Sequence, residues 1–107
     1  MAVTVTLALT LKPEAVDGFC GAFPTMLQDT SKFPGFVAIR VLRSASDPNR
    51  IVLIEDWETE DAYHAYIAWR TERGDMDSMG DLIAAPPVLD IWSDRVASAD
   101  VENGVHA

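Results

Sequence analysis

From Val3 to Leu11 apolar and polar positions alternate: Val3, Val5, Leu7, Leu9 and Leu11 stand against Thr4, Thr6, Ala8 and Thr10. A period of two with β-branched enrichment predicts a strand. At Lys12-Pro13-Glu14 the period lengthens. Proline suits the first turn of a helix, and Val16, Phe19, Phe23 and Leu27 then recur at helical spacing. Gly18, Gly21 and Pro24 weaken this helix, and Pro24 is expected to bend it because it cannot donate to the carbonyl of Cys20. Pro34-Gly35 marks a turn. Phe36 to Arg43 predicts a second strand, Ser44 to Asn49 a loop of turn formers, and Arg50 to Trp57 a third strand folding back as a hairpin. Thr59 suits an N-cap, with Glu60 and Asp61 at the positive end of a helix that runs to about Arg73. Gly74 stops it, and a shorter helical stretch is expected from about Met76 to Ala84. Pro86-Pro87 forces an extended entry into a fourth strand, Val88 to Asp94.

The resulting order is β-α-β-β-α-β, an α+β, ferredoxin-like arrangement with a four-stranded antiparallel sheet. It occupies one domain over residues 1–95. Residues 96–107, poor in large apolar side chains, are expected to form a flexible tail.

Both faces of this sheet read as largely apolar. Strand two offers Val37, Ile39 and Val41 on one face, and Phe36, Ala38 and Leu42 on the other. Strand three offers Ile51, Leu53 and Trp57, then Val52 and Ile54. Strand four offers Leu89 and Ile91, then Val88 and Trp92. Two helices cover only one face. Leaving half a dozen large side chains in water costs on the order of 10 kcal/mol, as much as a small domain's whole stability. A homodimer packed sheet to sheet removes that cost. Arg40, Glu55, Asp56 and Asp90 could instead wet one face.

Charge and composition narrow the function classes. A net charge of −9 over 107 residues argues against nucleic acid and anionic membrane surfaces. No apolar run reaches the ~20 residues of a membrane span. The opening MAVTVTLALTLKPE lacks a basic leader region, and the single cysteine, Cys20, forms no internal disulfide, so a cytoplasmic setting is expected. No dinucleotide-binding glycine fingerprint, CxxC, HExxH or GxSxG motif occurs. With two histidines, one of them His106 in the tail, a metal site is not expected.

The segments LTLKPE, FPGF, VLRSASDPNRIVLIEDWE, TEDAYHAYI and APPVLDIW together resemble the antibiotic biosynthesis monooxygenase family of the dimeric α+β barrel superfamily, over about Val3 to Arg95. The resemblance implies a dimeric barrel with a cofactor-independent monooxygenase activity on a phenolic, quinol or polyketide-like aromatic substrate. Two departures stand out. Many relatives carry a histidine where Tyr66 stands here, and the segment Trp69 to Gly74 is unusual. The haem-degrading branch uses an asparagine on strand one and a histidine late in the second helix. This chain has neither.

At 100° per residue Ala62, Tyr66, Trp69 and Arg73 share one stripe of the second helix, flanked by Tyr63 and Arg70. Tyr66 and Trp69 combine an apolar body with one polar handle, which suits a flat aromatic bearing oxygens. Arg70 or Arg73 could hold a phenolate or carboxylate through forked donors. These four are the candidate catalytic residues. Phe23, Phe36, Arg40, Trp57, Tyr63 and Trp92 are candidate substrate contacts, although each aromatic could equally be core and Arg40 could pair with Glu55 or Asp56 across the hairpin. His64 falls on the solvent side, and Cys20 reads as a small buried hydrophobe. No base is evident. A cyclase or isomerase in the same pocket, or a non-catalytic dimer binding a small hydrophobic ligand, remain as alternatives.

Overall fold

The structure, a computed structural model, describes residues 2–101 and 104–106. The strands are β1 (Val3–Thr10), β2 (Phe36–Arg43), β3 (Arg50–Trp57) and β4 (Val88–Trp92), joined by helices α1 (Val16–Thr30), α2 (Glu60–Glu72) and the short α3 (Asp75–Gly80). They form one antiparallel sheet in the order β2-β3-β1-β4, the ferredoxin-like topology. β1 pairs with β3 from Val3 opposite Trp57 to Thr10 opposite Arg50. No helix among the described residues is long and apolar enough to cross a membrane.

Local chemistry accounts for the element ends. Pro13 sits in a single 3-10 turn, Pro13–Ala15, that feeds α1, and α1 continues through Pro24. Thr59 caps α2 by accepting a hydrogen bond from the Ala62 backbone N–H at 3.0 Å. Gly74, at φ +83°, takes the left-handed conformation that ends the helical run. Gly35, at φ +90°, lies so close to α2 that a methyl group in place of its hydrogen would collide with the Ala62 side chain.

Four details differ from the sequence reading. A β-bulge between Phe36 and Ala38 inserts one residue, so Phe36 turns in to meet the Trp57 ring at 5.6 Å while Val37 turns out, 55% exposed. Helix α3 stops at Gly80, because the residues after it serve the sheet edge: Ile83 bridges Leu11, and the Ala84 N–H donates to the Thr10 carbonyl. β4 ends at Trp92 rather than Asp94. Past Arg95, β5 (Ser98–Asp100) and β6 (Gly104–His106) pair as a separate two-stranded sheet.

α1, α2 and α3 cover one face, the inner face. Under α1 lie Leu9, Leu11, Val16, Phe19, Phe23, Ile51 and Leu53. Under α2 lie Val3, Val5, Trp57, Tyr63 and Tyr66. No helix among the described residues covers the outer face. It carries Leu42, Val88 and Trp92, each about half exposed, among Thr4, Thr6 and Asp56.

Candidate active site

A cavity of about 830 Å³ lies between the helices and the inner face, lined by members of both core clusters. Its sheet side includes Leu7, Ile39, Leu53 and Glu55. Its helix side includes Phe19, Phe23, Met26, Tyr63, Tyr66 and Met79. The walls are therefore mostly apolar and aromatic, the pattern of a small-molecule site.

α2 supplies three of the polar groups. Tyr63, Tyr66 and Arg70 follow each other by three and four residues, share one face and are buried. The Tyr66 hydroxyl lies 2.9 Å from Thr30 Oγ1 and accepts from Arg70 Nε at 3.0 Å. Arg70 also donates to Thr30 Oγ1 at 2.9 Å, to the Met26 carbonyl at 3.2 Å and to Asp75 Oδ2 at 2.9 Å. Burial works against the charge on Arg70, but its bonds to Tyr66 and Asp75 prevail and hold its pKa above the ordinary value. With these acceptors the guanidinium is engaged by its own protein. What it offers the cavity is a fixed, polarised Tyr66 hydroxyl. Thr30 has one hydroxyl proton for two acceptors, the Met26 carbonyl and Tyr66 Oη. If Thr30 gives that proton to Tyr66, the Tyr66 proton is left to point elsewhere.

Glu55 is the second polar feature. It stands in β3 between Leu53 and Trp57, opposite Val5 of β1 and Ile39 of β2, and is only 4% exposed. Trp57 Nε1 donates to its Oε1 at 3.1 Å. Burial raises the carboxyl pKa above its usual range, and the indole bond offsets part of that rise. Tyr63 is pushed up too, by burial first and then by electrostatic interaction with Glu55 and the neighbouring Tyr66, which keeps its phenol neutral.

The structure brings five of the sequence candidates to the cavity: Phe23, Tyr63, Tyr66, Arg70 and Arg73. Arg73 lies half exposed, with contacts of 3.5 Å to Asp75 and 3.7 Å to Asp29. The other five lie outside its lining. Trp69 is half buried beside Phe33, and the Arg70 and Arg73 guanidinium carbons lie 4.8 and 4.7 Å from its ring centroid. Trp57 is fully buried behind the wall, with its ring 4.9 Å from Tyr66, and Phe36 packs on Trp57. Arg40 and Trp92 belong to the outer face, where Trp92 Nε1 donates to Thr6 Oγ1 at 2.9 Å. Arg40 pairs with neither acid across the hairpin. It stands opposite Ile54, Glu55 points to the other face, and Asp56 accepts from the Thr4 hydroxyl at 2.7 Å. His64 is exposed and bonded to Glu60. Cys20 is half buried, and Arg43 Nη2 donates to its sulfur at 3.1 Å.

Glu55 is the residue that the sequence reading passed over. Its signal was parity: it occupies the next position in the buried series Ile51, Leu53, Trp57. Thr30 carried no such signal, since its partners come from helix packing. Among the described residues no cluster of histidine, cysteine, aspartate and glutamate is arranged to hold a metal ion.

The fold recurs in solved structures. A conserved protein from Methanosarcina mazei Go1 superposes with a TM-score of 0.80 at 18% identity, over 89% of this chain and 94% of that one. SnoaB, a cofactor-independent oxygenase from Streptomyces nogalater, gives 0.75 at 22% identity, over 88% and 93%. A Nitrosomonas europaea protein assigned to the antibiotic biosynthesis monooxygenases gives 0.72 at 24% identity, over 89% and 91%. No curated protein sequence matches. At these identities the superpositions establish the fold. The family model for antibiotic biosynthesis monooxygenases, however, matches residues 2–70, well over half of the sequence, and the chain belongs to that family.

Proposed function

We propose that this protein is a cofactor-independent monooxygenase acting on a phenolic, quinol or polyketide-like aromatic. The observation that carries the reading is the cavity of about 830 Å³, mostly apolar and aromatic in its walls, with Tyr66 and Glu55 among its buried polar groups. It has the volume for a flat multi-ring molecule, apolar walls for its faces and polar side chains to orient it. In such a site the substrate supplies the electrons. Loss of a proton gives a delocalised anion, which is electron-rich enough to react with oxygen. For an anthrone, one oxygen atom replaces the two hydrogens of the reacting methylene and the other leaves as water. The protein's part is desolvation, orientation and hydrogen bonds to the developing charge. Tyr66, held by Arg70 and Thr30, is assigned the role of hydrogen-bond donor to the substrate oxygen. Phe23 and Tyr63 form walls, and Arg73 attracts an anionic substrate.

The active species is assigned as a homodimer joined through the outer sheet faces, in support of which Leu42, Val88 and Trp92 are left about half exposed together.

Oxygen uptake with anthrone and quinol substrates, with no added flavin, nicotinamide or metal, tests the activity. Consumption of one oxygen molecule per ketone formed is expected. Turnover of a poly-β-keto substrate without oxygen would move the assignment to a cyclase or isomerase. Tight ligand binding with no turnover would make the protein a binding module.

A further inference from the structure

Glu55 is a buried carboxylate on the cavity wall with one oxygen spoken for. Trp57 Nε1 holds Oε1, and among the described residues no protein donor reaches Oε2. Among those same residues no fully buried side-chain oxygen lacks a hydrogen bond. Oε2 therefore opens onto the cavity. A carboxylate in the middle of an apolar sheet face costs folding free energy, and an amide or an alkyl side chain would fit the same pleat more cheaply. Its partner is an indole, a donor that fixes the carboxyl plane without neutralising its charge. The adjoining phenols, Tyr63 and Tyr66, bring no positive charge. The one buried cation of the wall, Arg70, is turned to Asp75, Thr30, Met26 and Tyr66. At the rim, Arg73 faces Asp29 and Asp75, and Glu14 completes the ionisable lining.

We propose that Glu55 is the general base of this site, taking the acidic proton of a phenol or of its keto tautomer directly onto Oε2. The inference rests on the aromatic-substrate reading above and supplies the base which that reading lacks. In the step, the substrate's O–H bond, or the C–H bond of the anthrone methylene, breaks. The proton passes to Oε2, and the electron pair stays on the substrate as one and the same anion from either tautomer. Burial strengthens Glu55 as a base by raising its pKa toward that of the proton it removes. Tyr66, already accepting from Arg70, stands in the same cavity to receive the charge that develops on the substrate oxygen.

Proton transfer can be read without oxygen. Anthrone is incubated anaerobically in D₂O with the wild-type protein, Glu55→Gln and Glu55→Asp, and exchange of the methylene protons is followed by NMR. Oxygen uptake is measured in parallel on the same preparations. Glu55→Gln keeps an acceptor for Trp57 and loses only the basic lone pair, and thermal melting verifies its fold. The proposal expects wild-type exchange to exceed buffer, Glu55→Gln to lose about 100-fold or more of it, and Glu55→Asp to fall between. The rise of the wild-type rate with pH, which reports ionisation of the carboxyl, should vanish in Glu55→Gln. Exchange that depends on Glu55 without oxygen uptake would uphold the base and overturn the monooxygenase reading. Oxygen uptake in both proteins, with exchange equal within about twofold, would overturn the base and leave that reading standing. Absence of exchange in the wild type would also overturn the base.

Discussion

Glu55 and Asp56 are neighbours in β3 and share a functional group, yet their surroundings have little in common. Glu55 looks into the helix-covered side of the sheet, where burial opposes its charge and, among the described residues, one indole is its hydrogen-bonded partner. Asp56 looks out of the other side and accepts from the Thr4 hydroxyl at a partly exposed position. The pleat makes this difference, because successive side chains leave a strand on opposite faces. The inner face is closed by its own chain and spends its closure on a cavity. The outer face also carries apolar residues along β2 and β4, but no helix among the described residues covers it. One sheet thus holds two unlike surfaces, one helix-covered around a cavity and one left open with half-exposed apolar side chains.

The comparison can be broken most severely at Trp57. It is fully buried, packs against Phe33, Phe36, Tyr63 and Tyr66, and fixes Glu55. Trp57→Ala is expected to cost about 3–5 kcal/mol, read as a drop in the urea midpoint, and a loss under about 1 kcal/mol would show that the inner face is not packed as described. Tyr66→Phe keeps the ring and removes one hydroxyl, leaving Arg70 Nε without its acceptor while Thr30 keeps its bonds to the Met26 carbonyl and Arg70 Nη2. A loss of about 1–3 kcal/mol is expected, together with a larger fall in kcat than in 1/KM for oxygen uptake.

On the outer face Val88→Asp should leave unfolding of the separated protomer within about 0.5 kcal/mol, while sedimentation shifts from dimer to monomer. A monomeric wild-type protein at micromolar concentration would contradict the assigned use of this surface. The smallest effect separates the two carboxylates themselves. Because the folded-state pKa of Glu55 is raised, the carboxyl favours folding at low pH, and that advantage is lost as pH rises through the folded value. Glu55→Gln should therefore melt above the wild type near pH 8, and the gap should close as pH falls toward 4. Asp56→Asn keeps an acceptor for the Thr4 hydroxyl on the open face and should change the melting temperature less than Glu55→Gln does at pH 8.

Much of the architecture was legible in alternation alone. Val3 to Leu11, the hairpin around Asp47-Pro48-Asn49 and the Thr59 cap each carry a strong local signal, and the topology follows from their order. The bulge at Phe36 was not legible, since an added residue leaves the sequence pattern intact and reveals itself only against the partner strand. The run from Leu82 to Ala84 read as helix because its apolar residues fit either period, and pairing with Thr10 and Leu11 decided otherwise. For the site, helical phase put Tyr66 on a stripe with Ala62, Trp69 and Arg73 and left Tyr63 and Arg70 as flanks, whereas the buried face runs through Tyr63, Tyr66 and Arg70. It did not reveal that Arg70 would be consumed by Thr30, Met26 and Asp75, because those partners come from α1 and from beyond Gly74. Glu55 was open to detection by strand parity, since its register matches that of Ile51, Leu53 and Trp57.

The touch between Gly35 and Ala62 governs more than a turn. Neither residue borders the chamber, yet together they act as a shim: the first turn of α2 rests on a bare backbone, so the helix sits as low on the sheet as it can. Any bulk added at either place would pivot the helix outward and deepen the slot beneath Tyr63 and Tyr66. The depth of the cavity is therefore set in part from outside its own walls, at a contact between two residues that do not line it.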